Sequence, residues 1–407
     1  MINAPSSLAG AGQLPPAPPR TSPQRQQGNP LLALRAGRHN ASSQTKGNTA
    51  LHLSLSRPRR MGRSARVVLI WFLAWYAVAQ CALILVKDRW QPIAPSNESI
   101  KGPRLRELVA EEPDRPLTLM LGSSRTCWAL RAGSLDGMPG PDGQPQRVYN
   151  FGIPSTGPIH EWLYLRQMVA EGIRPRLLLV EFLPPLLCAP QRGVLSEEGT
   201  TAYPWMSGRD FVRMTPYLAR PGRRGRDWLQ ANLAPCYAFR LQLHAEVQRA
   251  AFGVPFPPLP AVDEWGWRTM TPKLLPAWER TRNVQREQGG YSPGLGHFRM
   301  GKGPKRALRD LLALCRRERI PVALVLMPES SEFRAVYSPE ARAATRGLLA
   351  KLSHDYDAAV IDANLWVDDA DFEDGHHVMA HGADVFTNRL RGEIQQLLMR
   401  TALRDTE

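Results

Sequence analysis

The chain has 407 residues, of which 43% are apolar, so it can build a hydrophobic core and wholesale disorder is excluded. Its formal charge of +15 and sequence pI of about 10.1 are typical of nucleic-acid-binding proteins. The distribution of charge argues against that class, because residues 1–66 hold ten of the 52 basic residues and none of the 37 acidic ones. The rest of the chain has a net charge of only +5, and we expect no nucleic-acid partner.

Residues 1–60 are rich in Pro, Gln, Ser, Asn and Gly and contain no aromatic residue. Such a segment cannot bury enough apolar surface to offset the entropy of ordering, so we predict residues 1–66 to be a disordered basic tail. A second hypothesis for the same residues is that translation starts at Met61, which leaves only a short basic flank.

Residues 67–86 form an uncharged run whose most polar member is Gln80. A helix of that length spans roughly 30 Å, the thickness of a bilayer core, so we predict a transmembrane anchor. The basic residues before it place the tail in the cytoplasm and the body across the membrane. A cleavable signal peptide, cut after Ala79, and a buried core helix are the alternatives. The apolar run continues for seven residues beyond Ala79, which favours the uncleaved anchor.

Residues 87–115 are polar and are predicted to be a linker with one short helix at 104–110. Short apolar runs and amphipathic segments then alternate along the chain. The predicted strands are 117–121, 148–151, 177–182, 322–326 and 359–362. The predicted helices are 158–171, 305–318, 339–353 and 383–403. Strands that alternate with helices pair in parallel, so residues 116–402 are predicted to form a three-layer α/β/α domain with a mostly parallel sheet.

This alternation lapses at about residues 186–300, which we interpret as a large insertion. The segment holds five of the eleven tryptophans, many arginines and a proline-rich turn at 256–260. Tryptophan and arginine can line a groove for a sugar or an acyl group, and they can equally build a separate small core with solvated arginines. The sequence leaves both interpretations open.

Of the five cysteines, Cys81 lies in the apolar run and the other four follow it. In an oxidising compartment those four could form two disulfide bonds of unspecified pairing. None of them has C-x-x-C spacing, which excludes a zinc ribbon.

Three motifs fall at the ends of predicted strands or before the last helix. Gly122-Ser123-Ser124-Arg125 follows the first strand, Asn150-Phe-Gly152 ends the second, and Asp374-Gly-His-His377 precedes the last helix. Acyl transfer needs a nucleophile, a base, a group that orients the base, and donors for the oxyanion. A serine on a turn, an Asp-x-x-His loop and a glycine that allows close backbone approach are residue types that meet those needs.

In this order and placement, the motifs resemble those of the SGNH/GDSL hydrolases, which implies a flavodoxin-like three-layer fold. The resemblance implies that Ser124 is the nucleophile, His377 the base and Asp374 its orienting group. It also implies that the amides of Ser124 and Gly152 bind the oxyanion. The third block departs from the pattern, because no Asn follows the third strand, which ends at Glu181 and Phe182.

With its anchor and this departure, the chain is similar to the accessory proteins of alginate O-acetylation and of teichoic acid D-alanylation. That resemblance implies an extracytoplasmic esterase or O-acyltransferase that acts on acyl groups of a cell-surface polysaccharide beside a membrane acyltransferase. The alternative is a catalytically silent binding or scaffold protein with the same fold and the same partner. Hydrolysis and transfer both stay open, and no cofactor is expected.

Two residues near the motifs have alternative interpretations. Arg125 and Asn150 are predicted to contact substrate, and for Arg125 a structural ion pair with Glu181 is the equal alternative. His377 and His381 have i, i+4 spacing, which can bind zinc on a helix, but the neighbouring glycines predict a loop, so we expect no metal. His376 is predicted to be a loop residue without a catalytic part.

Overall fold

The computed structural model describes residues 62–86, 97–201, 203, 206–253, 261–268 and 275–405. Contacts divide the chain into a unit at Met1–Gly62 and a unit at Arg63–Glu407, and the elements below belong to the second. The predicted tail up to residue 61, the first part of the linker (87–96), Trp205 and the turn at 256–260 lie outside the described residues.

The sheet of the described chain contains five strands in the order β2-β1-β3-β4-β5, and every pairing is parallel. The strands are β1 (Leu117–Gly122), β2 (Arg147–Gly152), β3 (Leu177–Glu181), β4 (Val322–Leu326) and β5 (Ala359–Asp362). The predicted α/β class and parallel sheet are therefore confirmed, and each predicted strand agrees within one residue at either end.

Fourteen helices are described in the same part of the chain. They are α1 (Arg63–Val86), α2 (Asn97–Glu111), α3 (Ser124–Ala129), α4 (Pro158–Ala170), α5 (Glu197–Thr200), α6 (Gly208–Met214), α7 (Pro221–Leu233), α8 (Pro235–Ala238), α9 (Arg240–Phe252), α10 (Ala277–Leu295), α11 (Lys302–Arg317), α12 (Ser331–Arg334), α13 (Pro339–Tyr356) and α14 (Ala380–Asp405).

The helices cover both faces of the sheet because side chains of a buried strand alternate between two cores. In β3, Leu178 and Val180 pack into the core that contains residues of α2, α4, α11 and α13. Leu177 and Leu179 pack into the opposite core, which is built largely with α14. This gives the three layers that the sequence predicts.

α1 is the one helix of the described chain that is long and apolar enough to cross a membrane, from Arg63 to Leu85. Its apolar side chains are exposed, with Trp75 and Val68 each 68% accessible. A core helix would bury these side chains, so the exposure fits an anchor better than a core element.

The predicted linker is wrong for residues 97–111, because these residues form α2, which is longer than the predicted helix at 104–110. Leu105 and Leu108 are buried in the sheet core, and so is the whole side chain of Lys101. The Lys101 ammonium donates to the Gly152 carbonyl at 2.6 Å, and burial lowers the pKa of the lysine. Lys101 and Pro103 interrupt the apolar pattern of the helix, which concealed its true extent from the sequence.

The insertion contributes α5 to α10, and three of its tryptophans serve in packing. Trp228 stacks on Phe211 at a centroid distance of 5.4 Å, while Trp265 and Trp267 pack against the core on the α14 side. Trp278 is 65% exposed. For Trp228, Trp265 and Trp267 the structure therefore favours the core interpretation over the groove. All five cysteines are free in the described structure, which contains neither of the two disulfide bonds that four of them could form.

Candidate active site

The motif residues meet where the strand order reverses. The connection after β1 leads to β2, whereas the connection after the adjacent strand β3 leads to β4 on the opposite side. In parallel α/β sheets, the crevice outside the carboxyl ends of strands at such a point is the usual ligand site. Ser124 lies two residues after the end of β1, and Glu181 ends the adjacent strand β3.

The two serines after β1 divide two tasks between them. Ser123 is the N-cap of α3, and its hydroxyl accepts the Arg125 N–H at 3.1 Å. Ser124 is the first residue of the helix and remains partly accessible. Ordinary N-capping therefore accounts for Ser123 and leaves the Ser124 hydroxyl available for another contact.

The loop before α14 is shaped by the Asp374 carboxylate, which accepts the N–H groups of His376 (3.2 Å) and His377 (2.9 Å). Gly375, between them, has φ +95°, a backbone conformation that side chains disfavour. The turn brings the His377 ring back onto the same carboxylate, with Nδ1 and Oδ2 2.7 Å apart.

Ser124, His377 and Asp374 form one continuous chain of hydrogen bonds. The Ser124 hydroxyl lies 2.8 Å from His377 Nε2, although 253 residues separate the two in sequence. Burial by itself would raise the pKa of Asp374, but the interactions with His377, which include two hydrogen bonds, outweigh it, so the pKa lies well below its usual value. Asp374 is therefore a carboxylate that fixes a proton on Nδ1 and directs the lone pair of Nε2 at Ser124.

Asn150 and Gly152 lie at the end of β2, and their polar groups form hydrogen bonds within the protein. The Gly152 N–H donates to Asn150 Oδ1 at 2.8 Å, and the buried Asn150 amide donates to the carbonyls of Thr126 and Leu130 at 2.8 Å each. A Cβ at Gly152 would overlap the backbone of Cys127. The predicted oxyanion role of Gly152 and substrate role of Asn150 are therefore not supported by this geometry, which ties β2 to α3 instead.

Arg125 is 4% exposed and pairs with Glu329, not with the predicted Glu181. The Arg125 Nη1 to Glu329 Oε1 distance is 2.6 Å, and the Tyr337 hydroxyl donates to the same oxygen at 2.7 Å. The guanidinium also lies 5.0 Å from the centre of the Phe333 ring. A cavity of about 730 Å³ opens on the far side of this pair and is lined by neither Ser124 nor His377. Arg125 is therefore a structural residue of this site.

The sequence analysis missed the supporting role of Glu181. This fully buried carboxylate accepts the Ser123 N–H at 2.7 Å, the Ser123 hydroxyl at 3.0 Å and the Thr126 hydroxyl at 2.7 Å. It occupies the end of β3. The sequence offers one signal for this role, a single glutamate at the end of an apolar strand. A charge that is buried there needs hydrogen-bond partners, so it indicates a supporting network.

His376 is fully buried beneath the site. Its ring contacts His377, Phe333 and Tyr291 at centroid distances of 3.9, 4.8 and 5.2 Å. Burial, and then the neighbouring His377 charge, lower its pKa well below the usual histidine value. His376 is thus a neutral packing residue at ordinary pH.

His377 and His381, whose spacing was considered and set aside for zinc, have different partners. His381 lies in the first turn of α14 at the surface and contacts Asp371, with Nδ1 2.9 Å from both carboxylate oxygens. A different trio, Asp374, His376 and His377, has potential ligand atoms within 4.8 Å of one another. Both ring nitrogens of His377 are already engaged with Ser124 and Asp374, so metal binding there would require the serine contact to break.

Trp128 covers His377. Its ring meets the His377 ring edge-on at a centroid distance of 4.0 Å, and its indole N–H has no hydrogen-bond partner among the described residues. The backbone carbonyl of Trp128 accepts the indole N–H of Trp267 from the insertion at 2.8 Å. The insertion therefore holds α3 in place, and with it Trp128, whose ring contacts His377.

Comparison with known proteins adds little to this geometry. No family model matches the chain. No curated protein matches it. One solved structure, a mutant of the esterase AlinE4, is similar with 12% identity and a TM-score of 0.25, covering 61% of this chain and 76% of that one. A likeness of this size carries no argument about fold or function, so the proposal below depends on the chain's own residues.

Proposed function

We propose that the chain is a membrane-anchored serine esterase or O-acyltransferase in which Ser124 is the nucleophile, His377 the base and Asp374 the orienting carboxylate. The observation that carries the proposal is the 2.8 Å contact between Ser124 Oγ and His377 Nε2, which continues at 2.7 Å from Nδ1 to Asp374. Serine, histidine and carboxylate in hydrogen-bond succession at a sheet's switch point are the arrangement that acyl transfer uses.

In the proposed reaction, Ser124 Oγ attacks the carbonyl carbon of an ester as His377 Nε2 removes the hydroxyl proton. His377 then returns this proton to the leaving alcohol, and Ser124 carries the acyl group. A water molecule or a second alcohol, deprotonated by His377, takes the acyl group and frees the serine. Asp374 stabilises the imidazolium that forms twice in this cycle and does not itself take the proton.

The oxyanion requires hydrogen-bond donors close to Ser124. The Ser124 N–H at the start of α3 is suited to this, because the first turn of a helix leaves N–H groups without intrahelical partners. The next one, the Arg125 N–H, already donates to the Ser123 hydroxyl. The Gly152 N–H would join the Ser124 N–H only by leaving Asn150 Oδ1. We therefore assign the oxyanion to the Ser124 amide first.

The surroundings of the site belong to the same proposal. We infer that α1 anchors a domain at 116–402, with its insertion at 186–300, on the extracytoplasmic side. The resemblance of the motifs to SGNH/GDSL hydrolases supports an acyl ester of a cell-surface polysaccharide as substrate, and a membrane acyltransferase as partner.

The second candidate function is a catalytically silent protein that binds a glycan or recruits an acyltransferase. Two observations favour it: the Gly152 N–H is already bonded, and Glu181 occupies the strand end where an oxyanion-binding Asn would follow. An intact hydrogen-bonded Ser-His-Asp chain favours the enzyme.

The test is covalent labelling of the full chain in detergent with a serine-reactive fluorophosphonate, together with hydrolysis of a small acetyl ester. We expect the wild-type chain to be labelled on the peptide that contains Ser124, and Ser124→Ala to lose both labelling and turnover. Ser134→Ala is the matched control, since the Ser134 hydroxyl only donates to the Arg131 carbonyl at the surface. This variant should behave like the wild type.

Labelling and turnover that both fail in the wild-type chain would favour the silent protein. A metal chelator in a parallel reaction tests the trio of Asp374, His376 and His377. Unchanged labelling supports the serine mechanism, and its loss would contradict the proposal.

A further inference from the structure

The insertion exposes a row of large apolar side chains on three consecutive helices, which we call the α7–α9 surface. Its members are Leu229, Leu233, Tyr237, Val247 and Phe252, with exposed fractions from 48% to 76%. Leu229, Leu233 and Tyr237 recur every fourth residue. A soluble domain rarely presents so many large apolar groups together unless another phase or another molecule covers them.

The α7–α9 surface is continuous with the membrane-spanning helix. Both α7 and α8 contact α1 directly. At the junction, the Cys236 N–H at the start of α8 donates to Oε1 of Gln80 at 3.1 Å. Gln80 is only 6% exposed, whereas residues 71–79 before it on α1 are all exposed.

The position of Gln80 fixes the depth of this contact. It lies five residues before the end of the candidate span at Leu85, which is about 8 Å along a helix. The hydrocarbon core is about 30 Å thick, so a leaflet contributes about 15 Å. When α1 crosses a bilayer, α8 therefore lies within the acyl region of the leaflet at the carboxyl end of α1.

The hydrogen bond between the Cys236 N–H and Gln80 explains why a glutamine interrupts the apolar sequence of α1. A first-turn N–H such as that of Cys236 has no partner within its own helix. In water it would be hydrated, but in hydrocarbon an unpaired N–H costs several kcal/mol. Gln80 Oε1 supplies the acceptor at that depth, and interhelical bonds of this kind stabilise helix contacts in membranes.

The charges around the surface fit the same environment. Arg223 and Arg226 are exposed one to two turns before Leu229 on α7, and the Arg240 guanidinium lies over the Tyr237 ring at 4.2 Å. Arginines that flank an apolar surface reach the phosphates of lipid headgroups while their stems stay in the apolar phase. Arg224 is turned inward instead, 3.7 Å from the buried Glu198, and fixes α7 to the domain.

We propose that the α7–α9 surface is inserted into the bilayer beside α1, with Leu229, Leu233, Tyr237, Val247 and Phe252 among lipid acyl chains and Arg223 and Arg226 at the headgroups. The occupant of this surface is lipid. The domain is thereby held against the membrane at two places, α1 and the insertion, in one fixed orientation. This inference requires that α1 spans the membrane, and it does not depend on the chemistry of Ser124.

The test uses the full chain in vesicles of phosphatidylethanolamine and phosphatidylglycerol. Cys81 and Cys236 are replaced by alanine, and a nitroxide is attached at Leu233→Cys or at Phe252→Cys. Collision of the label with oxygen, which concentrates in lipid, is compared with collision with a water-soluble nickel chelate. Leu365→Cys is the matched negative control, because Leu365 is a 72% exposed leucine outside the insertion. Leu73→Cys within α1 is the positive control.

We expect the labels at 233 and 252 to lose nickel collisions and gain oxygen collisions, as at 73, while the label at 365 shows the reverse. If the labels at 233 and 252 collide with nickel while the label at 73 is in lipid, the proposal is overturned and the membrane anchor stands. Exclusion of both reagents at 233 and 252 also overturns it, because protein and not lipid then covers the surface. Accessibility to nickel at 73 contradicts the anchor itself. Matching melting temperatures in detergent show that the labelled variants are folded.

Discussion

The candidate site has two polar layers that differ in accessibility, in charge and in how the sequence encodes them. The upper layer, Ser124, His377 and Asp374, can exchange protons and includes the partly accessible Ser124. The lower layer, Glu181 and the Arg125–Glu329 pair, is buried and its hydrogen bonds go to the protein. We propose that the upper layer performs the chemistry and that the lower layer holds the turn that carries Ser124. Variants can separate the two roles.

The largest effect is expected in the upper layer, at Asp374→Asn. The amide would favour the wrong tautomer of His377, so we expect the rate of fluorophosphonate labelling to fall by about 10⁴-fold. Asp371→Asn is the control, since Asp371 contacts only the exposed His381 ring by its side chain on this loop. An undiminished rate in Asp374→Asn would remove Asp374 from the mechanism.

Removing one partner of the lower layer should mainly destabilise the fold. Glu329→Leu leaves the Arg125 guanidinium buried without its counter-charge, and we expect a loss of about 3–5 kcal/mol in the free energy of unfolding. The double variant Arg125→Met/Glu329→Leu should recover most of that loss, because no charge then stays buried alone. Urea unfolding measures both. A double variant that loses the sum of the single losses would show that packing, and not charge, dominates this pair.

Glu161 offers a pH-dependent test of the buried region beside Glu181. It is 1% exposed, and neither carboxylate oxygen has a hydrogen-bond partner among the described residues. Burial, and then the charges of Glu181 and Glu197, raise its pKa well above 4.5. The folded state therefore keeps a proton that the unfolded chain releases above about pH 4.5. The contribution of Glu161 to stability is complete below pH 4.5 and declines as the pH rises from there to the raised pKa of the folded state.

Glu161→Gln mimics the protonated form at every pH. We expect it to match the wild type near pH 4 and to exceed it at neutral pH, by at most about 1.4 kcal/mol for each pH unit between the two pKa values. Melting temperatures across pH 4–8 measure this. Glu340→Gln, at the exposed start of α13, is the control and should not produce the same trend. A constant difference across the range would contradict a raised pKa.

The sequence predicted the upper layer of the site better than the lower layer. Apolar runs predicted β1 to β4 because strands buried on both faces must be apolar, and β5 was recognised by its place after a predicted helix. Ser124, Asp374 and His377 were singled out because their motifs resemble those of the SGNH/GDSL hydrolases. Glu181 and Glu329 were missed because a buried carboxylate is recognised by its partners, which come from distant segments. α2 was misread because Lys101 is buried by contacts with β2 that its own neighbours do not indicate.

The smallest effect is expected from exchanging the two adjacent serines for alanine one at a time. Ser123→Ala loses the N-cap bond to the Arg125 N–H and one of the three bonds to Glu181, so unfolding should become easier by about 1 kcal/mol. Ser124→Ala loses only the contact with His377 and should stay within about 0.5 kcal/mol of the wild type. Labelling should show the opposite order, with Ser124→Ala silent and Ser123→Ala still reactive. If Ser123→Ala also lost labelling without unfolding, the hydroxyl next to the nucleophile would take part in the chemistry, and the separation into two layers would fail at this turn.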